Sequence, residues 1–239
     1  MRARLAGMLM LGMIIICLAY FLRFLFTSTP EISSLGKFYL QNSYLGERSA
    51  GSPEVVTSIL WDYRGLDTYF ETAVLFLAII SAVSVFRNME HREVGDGFTG
   101  ITKTGIKLVA FVTFVTSASV AFHGHLTPGG GFQGGSILAA VSLLVIAGFS
   151  KGALEGNGIT KDRALAIRTL GLAIITAVAF YPLLEGFNFM QNLPVYPVKI
   201  KGLLISGSLL PYNVAEFLAV GAGFTIIFLL LSLPEVRRE

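Results

Sequence analysis

The stretch PYNVAEFLAVGAGFTIIFLLLSL, residues 211–233, contains one charged side chain, Glu216, in an otherwise uncharged run. A hydrocarbon core of roughly 30 Å takes about 20 apolar helical residues to cross, so this run predicts a membrane-spanning helix. Residues 5–26, 66–86, 105–122, 134–149 and 164–184 satisfy the same test. Composition agrees: of 239 residues 54% are hydrophobic and 14% charged. The mean hydropathy is +0.70, more apolar surface than a water-soluble domain can cover. The expected fold class is an all-α integral membrane protein of about six transmembrane helices, with the lipid bilayer as its solvent.

The first run follows Arg2 and Arg4, as a signal peptide would. It is long, however, ends in Phe24 and Phe26, and lacks a small-residue cleavage site, which predicts a retained helix. Cytoplasmic segments concentrate lysine and arginine. With the N-terminus inside, Arg2, Arg4, Arg87, Arg92, Lys103, Lys151, Lys161, Arg163, Arg168, Arg237 and Arg238 fall on the cytoplasmic side, eleven of the 18 basic residues. Six spans then return the C-terminus to that side, an N-in, C-in arrangement. The formal charge of +3 is scattered between apolar runs rather than gathered in a patch, so nucleic acid is not an expected partner. Cys17 is the one cysteine, which excludes an internal disulfide and a cysteine-held iron-sulfur cluster.

Residues 27–65 mix Pro30, Pro53, Gly46, Gly51 and several serines with opposing charges, the composition of an ordered outer cap. Residues 88–103, with Gly95, Gly97 and Gly100, separate the first two helices from the last four. Two modules are therefore expected, a two-helix one over residues 1–92 and a four-helix one over residues 98–239.

The third and fourth helices are joined by Phe122-His123-Gly124-His125-Leu126-Thr127-Pro128-Gly129-Gly130-Gly131-Phe132-Gln133-Gly134-Gly135. Such glycines let the backbone approach its neighbours closely. A tight packing turn and a loop dipping below the membrane surface both fit. The glycine spacing is not that of a P-loop, which also needs a lysine and a hydroxyl after the last glycine. His123 and His125 are two apart, off a common helical face and without a third ligand, so a metal site is not expected. A proton relay and a hydrogen-bonded structural pair stay open.

Asp67 and Glu71, four apart, share one face at the outer end of the second helix. An ionisable group within a span costs about 2.5–3.5 kcal/mol at the bilayer centre, so it is expected to face protein or water rather than lipid. Both also suit a helix N-terminus, with Arg64 as an ion-pair partner. Glu216 lies five residues after Pro211, where its own helix dipole would favour it and Asn213 would cap the same helix. Lys107, one turn into the third helix, is placed to snorkel toward the headgroups. The candidate ion-pathway residues are thus Asp67, Glu71, His123, His125, Lys107 and Glu216, and the structural loop is Pro128, Gly129, Gly130, Gly131, Gly134 and Gly135.

The histidine and glycine string from His123 to Gly135 resembles the hallmark of the B-type polypeptide of Mrp (Mnh) sodium/proton antiporters, a similarity covering about residues 98–233. Upstream, Trp61-Asp62-Tyr63-Arg64-Gly65-Leu66-Asp67-Thr68-Tyr69-Phe70-Glu71-Thr72 is similar to the Asp-Thr-x-x-Glu segment at the end of the large A-type polypeptide. That segment forms a separate small E-type polypeptide in membrane-bound hydrogenase-type complexes. Phe70 stands where the family commonly has glycine. The resemblance implies a fusion of the two segments, with Asp67 and Glu71 carried over as ion-pathway residues. It implies C-type and D-type membrane subunits and small helical subunits as partners, alongside redox subunits with iron-sulfur clusters where the complex is respiratory. It implies a non-catalytic chain with no bound cofactor, a sodium ion or proton being the transported species, in a hydrogenase- or sulfur-reductase-like complex of the cell membrane. A purely structural linker and a subunit of a stand-alone antiporter stay open beside that reading.

Overall fold

The computed structural model describes residues 2–27, 31–46, 48–86 and 98–232. Residues 1–38 and 39–239 form separate compact units. In the first, α1 (Arg2–Thr27) is one helix whose stretch Met10–Arg23 is apolar, with Ile14, Ile16 and Tyr20 exposed. α2 (Ser34–Asn42) begins in this unit, where the Gly36 N–H donates to Ser33 Oγ at 3.1 Å.

The second unit continues through α3 (Val55–Ser58), a π-helical turn Ile59–Tyr63, α4 (Gly65–Val85), α5 (Gly100–Phe122) and α6 (Gly131–Gly148). It then runs through α7 (Lys151–Gly156), α8 (Lys161–Leu184), a minimal hairpin of β1 (Lys199–Ile200) and β2 (Leu203–Leu204), and α9 (Leu209–Leu231). In the hairpin, Lys199 pairs with Leu204 and Ile200 with Leu203, antiparallel. Among the described residues α4, α5, α6, α8 and α9 are long and apolar enough to cross a membrane. The chain is therefore a multi-pass, all-α membrane protein. The helices start ahead of the apolar runs that predict them, α5 most of all, at Gly100 rather than residue 105, with α6 beginning at Gly131, α8 at Lys161 and α9 at Leu209. Most of the expected module boundary, up to residue 97, lies outside the described residues.

α9 is the hub, packed against α6 and α8 along its length and touched by α4 and α5. Its composition explains this position. Lipid tails are as apolar as leucine, so helix association rests on dispersion and close backbone approach, which small residues permit. Ala215, Ala219, Gly221, Ala222 and Gly223 supply them on α9, all buried. The facing helices answer with glycines: a Cβ on Gly135 of α6 would lie 2.8 Å from Val220 Cβ and 3.0 Å from the Phe217 carbonyl oxygen. One on Gly171 of α8 would lie 2.5 Å from the Ala215 oxygen. On the other side of α6, Gly134 meets α5, its missing Cβ 2.7 Å from both Ala121 Cβ and the Ser117 oxygen. Across the α6–α9 contact the Ser142 and Thr225 hydroxyls are 2.9 Å apart, each satisfying the other away from water.

The connecting segments at one end are tied together, as the composition of residues 27–65 implied for that region. Asn192, fully buried, donates to the Ala50 carbonyl at 2.8 Å and to the Ser206 carbonyl at 3.2 Å. Its Oδ1 accepts the Ser208 N–H at 2.7 Å and the Ser208 hydroxyl at 3.0 Å. Ser52 donates to the His125 carbonyl at 2.5 Å and Thr57 to the Gly124 carbonyl at 2.6 Å. These bonds clamp residues 50–57 and 192–208 over the glycine-rich turn.

Gly135→Val should therefore prevent α6 from seating on α9, and recovery of the assembled protein by size-exclusion chromatography should fall at least several-fold. Gln133→Ala, at an exposed position on the same helix, should leave recovery near wild type.

Candidate functional site

The chain leaves α5 at His123, whose N–H donates to the Ser119 carbonyl at 3.0 Å, and turns through bonds from the Leu126 and Thr127 N–H groups to the His123 carbonyl. Gly129 and Gly130 then adopt φ of +155° and +151°, a region that side chains resist. Gly124 packs on Gly130, its missing Cβ 2.5 Å from the Gly130 Cα. The product is a shell of backbone around two polar side chains of α9. The Gly131 N–H donates to Asn213 Oδ1 at 3.4 Å and the Phe132 N–H to Glu216 Oε2 at 3.0 Å. A Cβ on Gly131 would strike the Asn213 carbonyl and sit 2.6 Å from Glu216 Cβ.

This corrects the expectation that Asn213 and Glu216 serve the start of their own helix. Gly130 stands at the N-cap of α6 and has no side chain to accept the amides of the first turn. α9 supplies the acceptors across the helix–helix contact, and the Glu216 carboxyl meets the positive end of the α6 dipole, worth about 0.3–2 kcal/mol. Glu216 and Asn213 are both buried. Asn213 Nδ2 has no hydrogen-bond partner among the described residues.

On α4, Asp67 pairs with Arg64, whose Nε lies 2.7 Å from Asp67 Oδ2, both side chains being exposed. An exposed pair of this kind contributes about 0–1 kcal/mol. Glu71 is one turn deeper on the same face, and within this chain that face points outward. The inward face instead presents Thr68 and Thr72, which donate to the carbonyls of Leu60 at 2.6 Å and Thr68 at 2.9 Å.

The other expected residues lie apart. His123 is exposed with Nδ1 3.0 Å from the Ser119 carbonyl, whereas His125 is buried with Nε2 3.0 Å from the Leu204 carbonyl of β2. They make separate contacts and are not a bonded pair. Burial holds His125 below the ordinary imidazole range, partly offset by the Leu204 bond. Lys107 extends over the Phe149 ring at 5.7 Å, at the opposite end of the bundle. Among the described residues no three His, Cys, Asp or Glu side chains gather as a metal site would require.

Three polar residues with structural weight escape a reading of the sequence. Asn192 carries no motif, being one of three amides, with Asn188 and Gln191, in a stretch of aromatics and prolines. Arg168, assigned by charge counting to the cytoplasmic side, is buried within α8, where its guanidinium donates to the Ala219 carbonyl at 3.0 Å. Asp62, in the π-helical turn beside the stacked rings of Trp61 and Tyr212, is pushed up from 3.8 to about 6 by burial, opposed by a hydrogen bond from the Asn192 backbone.

With this geometry in place, comparison finds that the family described as a domain related to the MnhB subunit of Na+/H+ antiporters matches residues 101–226. The B-type polypeptide of the Na+/H+ antiporter of Alkalihalophilus pseudofirmus is 32% identical, over 51% of this chain and 84% of that relative. A probable K+/H+ antiporter polypeptide of Rhizobium meliloti, of combined A/B type, is 24% identical over 87% of this chain, which spans 23% of that longer protein. Among solved structures, a chain of the Mrp complex from Dietzia sp. superposes with a TM-score of 0.67 at 18% identity, all of this chain spanning about a quarter (27%) of it. A chain of the membrane-bound sulfane sulfur reductase, an archaeal respiratory membrane complex, superposes with a TM-score of 0.70 at 24% identity, over 98% of this chain and 100% of that one.

The position of Asp62 gives a pH signature. Between about 4 and 6 the folded chain holds a proton that the unfolded chain has released, so stability falls as pH rises through this window and levels off above it. Asp62→Asn keeps an acceptor for the Asn192 amide and removes the slope. The thermal midpoint of the variant in detergent should exceed that of the wild type by a margin that grows from pH 4 to 6 and is constant from 6 to 8.

Proposed function

The chain belongs to the family of MnhB subunits of Na+/H+ antiporters, and from that premise we propose that it is a non-catalytic cell-membrane subunit lining a sodium or proton path. Glu71 and Glu216 handle the ion. The observation that carries this reading is Glu216: a buried carboxyl inside a membrane span, held by one backbone amide. A carboxyl so placed favours holding a proton or a cation, because it cannot stay charged cheaply in a low dielectric. Asp67, already paired with Arg64, forms the mouth of the path. His125 and Lys107, committed to Leu204 and Phe149, act as structural ties, and exposed His123 stands outside the path.

The two-module organisation is part of the proposal. Its support is that the family match is confined to residues 101–226, while the longer relative that extends over 87% of this chain is named as a combined A/B type. A respiratory setting with C-type, D-type, small helical and iron-sulfur subunits is favoured by the extent of the structural matches. This chain spans the whole of the sulfane sulfur reductase chain but about a quarter of the Mrp chain. The excess of lysine and arginine in the sequence segments 2–4, 87–103, 151–163 and 237–238 supports an N-in, C-in orientation. Leu45, 87% exposed, then lies outside.

A Leu45→Cys variant should react with an impermeant maleimide added outside intact cells, and labelling from the cytoplasm alone would reverse the orientation. For the path, Glu71→Gln and Glu216→Gln each keep shape and hydrogen bonding while removing the charge. Assembled complexes carrying either should lose coupled sodium or proton flux in sealed vesicles by at least tenfold. Wild-type flux in an assembled Glu216→Gln complex would reduce Glu216 to the helix cap that its bond to Phe132 also makes it.

A further inference from the structure

Pro182 stands inside α8 and has no N–H to offer the Val178 carbonyl four residues earlier. The Tyr196 hydroxyl donates to that carbonyl instead, at 2.7 Å, and the Met190 N–H reaches the Ala179 carbonyl at 3.0 Å. These bonds hold the segment that enters the β1–β2 hairpin against the last two turns of α8, about 9 Å short of its end at Leu184 at 1.5 Å per residue. On the other strand the Leu204 carbonyl meets His125 Nε2, three residues past the end of α5. The hairpin thus lies level with the helix ends, where hydrocarbon gives way to headgroups. Lys201 and Gly202 join its strands with φ of +49° and +85°, the two positive values that a tight two-residue turn takes. The tip is therefore a fixed shape rather than a loose loop. It exposes the cross-strand pair Ile200 (50%) and Leu203 (73%), and Lys199 and Lys201, exposed as well, flank Ile200 in the chain. Neither lysine has an ion-pair partner among the described residues.

We propose that this hairpin is a membrane-interface anchor, with Ile200 and Leu203 in the upper acyl layer and Lys199 and Lys201 on the phosphate of an anionic lipid headgroup. Aliphatic side chains at headgroup depth gain by entering the acyl boundary, and long lysine stems let the ammonium groups return to the phosphates. Each basic side chain near an anionic surface adds to that attraction. An acidic surface of another protein is the poorer occupant, because a specific interface takes roughly 800 Å² per partner, which a four-residue tip does not supply. Lipid contact has no such minimum. The anchor also acts within the chain. The Val198 carbonyl accepts the Ile205 and Ser206 N–H groups at 2.9 and 3.1 Å, and β2 carries the carbonyl that meets His125. Lipid that fixes the hairpin thereby braces the cover over the glycine turn. This role is independent of the ion path.

The test is local quenching at the tip. The native complex is reconstituted into vesicles with a genetically encoded fluorescent amino acid in place of Leu203. Quenching is compared between lipid carrying a nitroxide just below its headgroup and iodide in the water. The nitroxide lipid should quench strongly and iodide weakly. Strong iodide quenching would put the tip in water, and quenching by neither would put it under a protein partner; either result overturns the anchor. In mixed vesicles, nitroxide-labelled phosphatidylglycerol should then be enriched around the tip about fivefold over nitroxide-labelled phosphatidylcholine. Lys199→Gln/Lys201→Gln, both at exposed positions, should assemble normally and bring the two lipids to parity. Equal association of the two lipids with the unmutated lysines, or an undiminished preference in the double variant, overturns the headgroup contact. Excess inorganic phosphate should leave the preference intact, and its loss would assign the lysines to a soluble anion instead of lipid.

Discussion

The seating of α6 on α9 is the contact on which the rest of the structure depends. No water is expelled when two apolar helices meet in lipid, so the association must come from atoms in direct contact. Gly131 and Gly135 bring the α6 backbone against the Asn213 carbonyl, the Phe217 carbonyl and Val220 with no side chain between. The same approach places the first amides of α6 within reach of Asn213 and Glu216. A side chain at Gly131 would separate those groups, leaving amides without acceptors and a carboxyl without its donor. Packing and polar satisfaction are therefore one interaction here. Gly171 of α8 repeats the packing half of it on the opposite face of α9.

Above this seam, the connecting segments act as a rigid cover rather than a set of free loops. Each reaches a backbone carbonyl of another: Ser52 that of His125, Thr57 that of Gly124, and Asn192 those of Ala50 and Ser206. Buried polar groups left unpaired cost about 1–3 kcal/mol each, which makes such a network intolerant of partial loss. His125 joins it through Leu204. The glycine turn is thus held from above by side chains and from below by α9, which fixes the position of Glu216 with respect to the end of α6.

Much of this was legible in the sequence, and the parts that were not have a common cause. Apolar runs of about 20 residues located five spans to within a few residues, because length and composition suffice for that. The glycine string announced close packing through residue type alone. Glu216 and Asn213 were assigned to the wrong helix because helix-end arguments assume that a cap belongs to its own helix, whereas their partners lie more than 80 residues away. Arg168 was counted as a topology signal because charge counting does not see the gap that Gly223 opens for it. Asn192 gave no signal at all, since its role arises only when three distant segments meet. On α4 the spacing put Asp67 and Glu71 on one face, yet a helix apolar on every side carries no periodicity to say which face turns inward.

The outward direction of that face has a consequence for the assembly. A carboxyl facing lipid near mid-membrane costs about 2.5–3.5 kcal/mol, less toward the interface. Glu71 sits between Phe70 and Val74, both well exposed, with Leu77 exposed two turns along. On the inward side of α4 are Thr68, Thr72 and Ile79, all buried against the bundle. The helix is thus already committed by packing and cannot rotate to bury Glu71 without exposing those residues. Protein from a neighbouring subunit covering Phe70, Val74 and Leu77 would remove the cost and enclose Glu71 at the same time. The path proposed for this chain would then be completed at its boundary, by a partner helix over the outward face of α4.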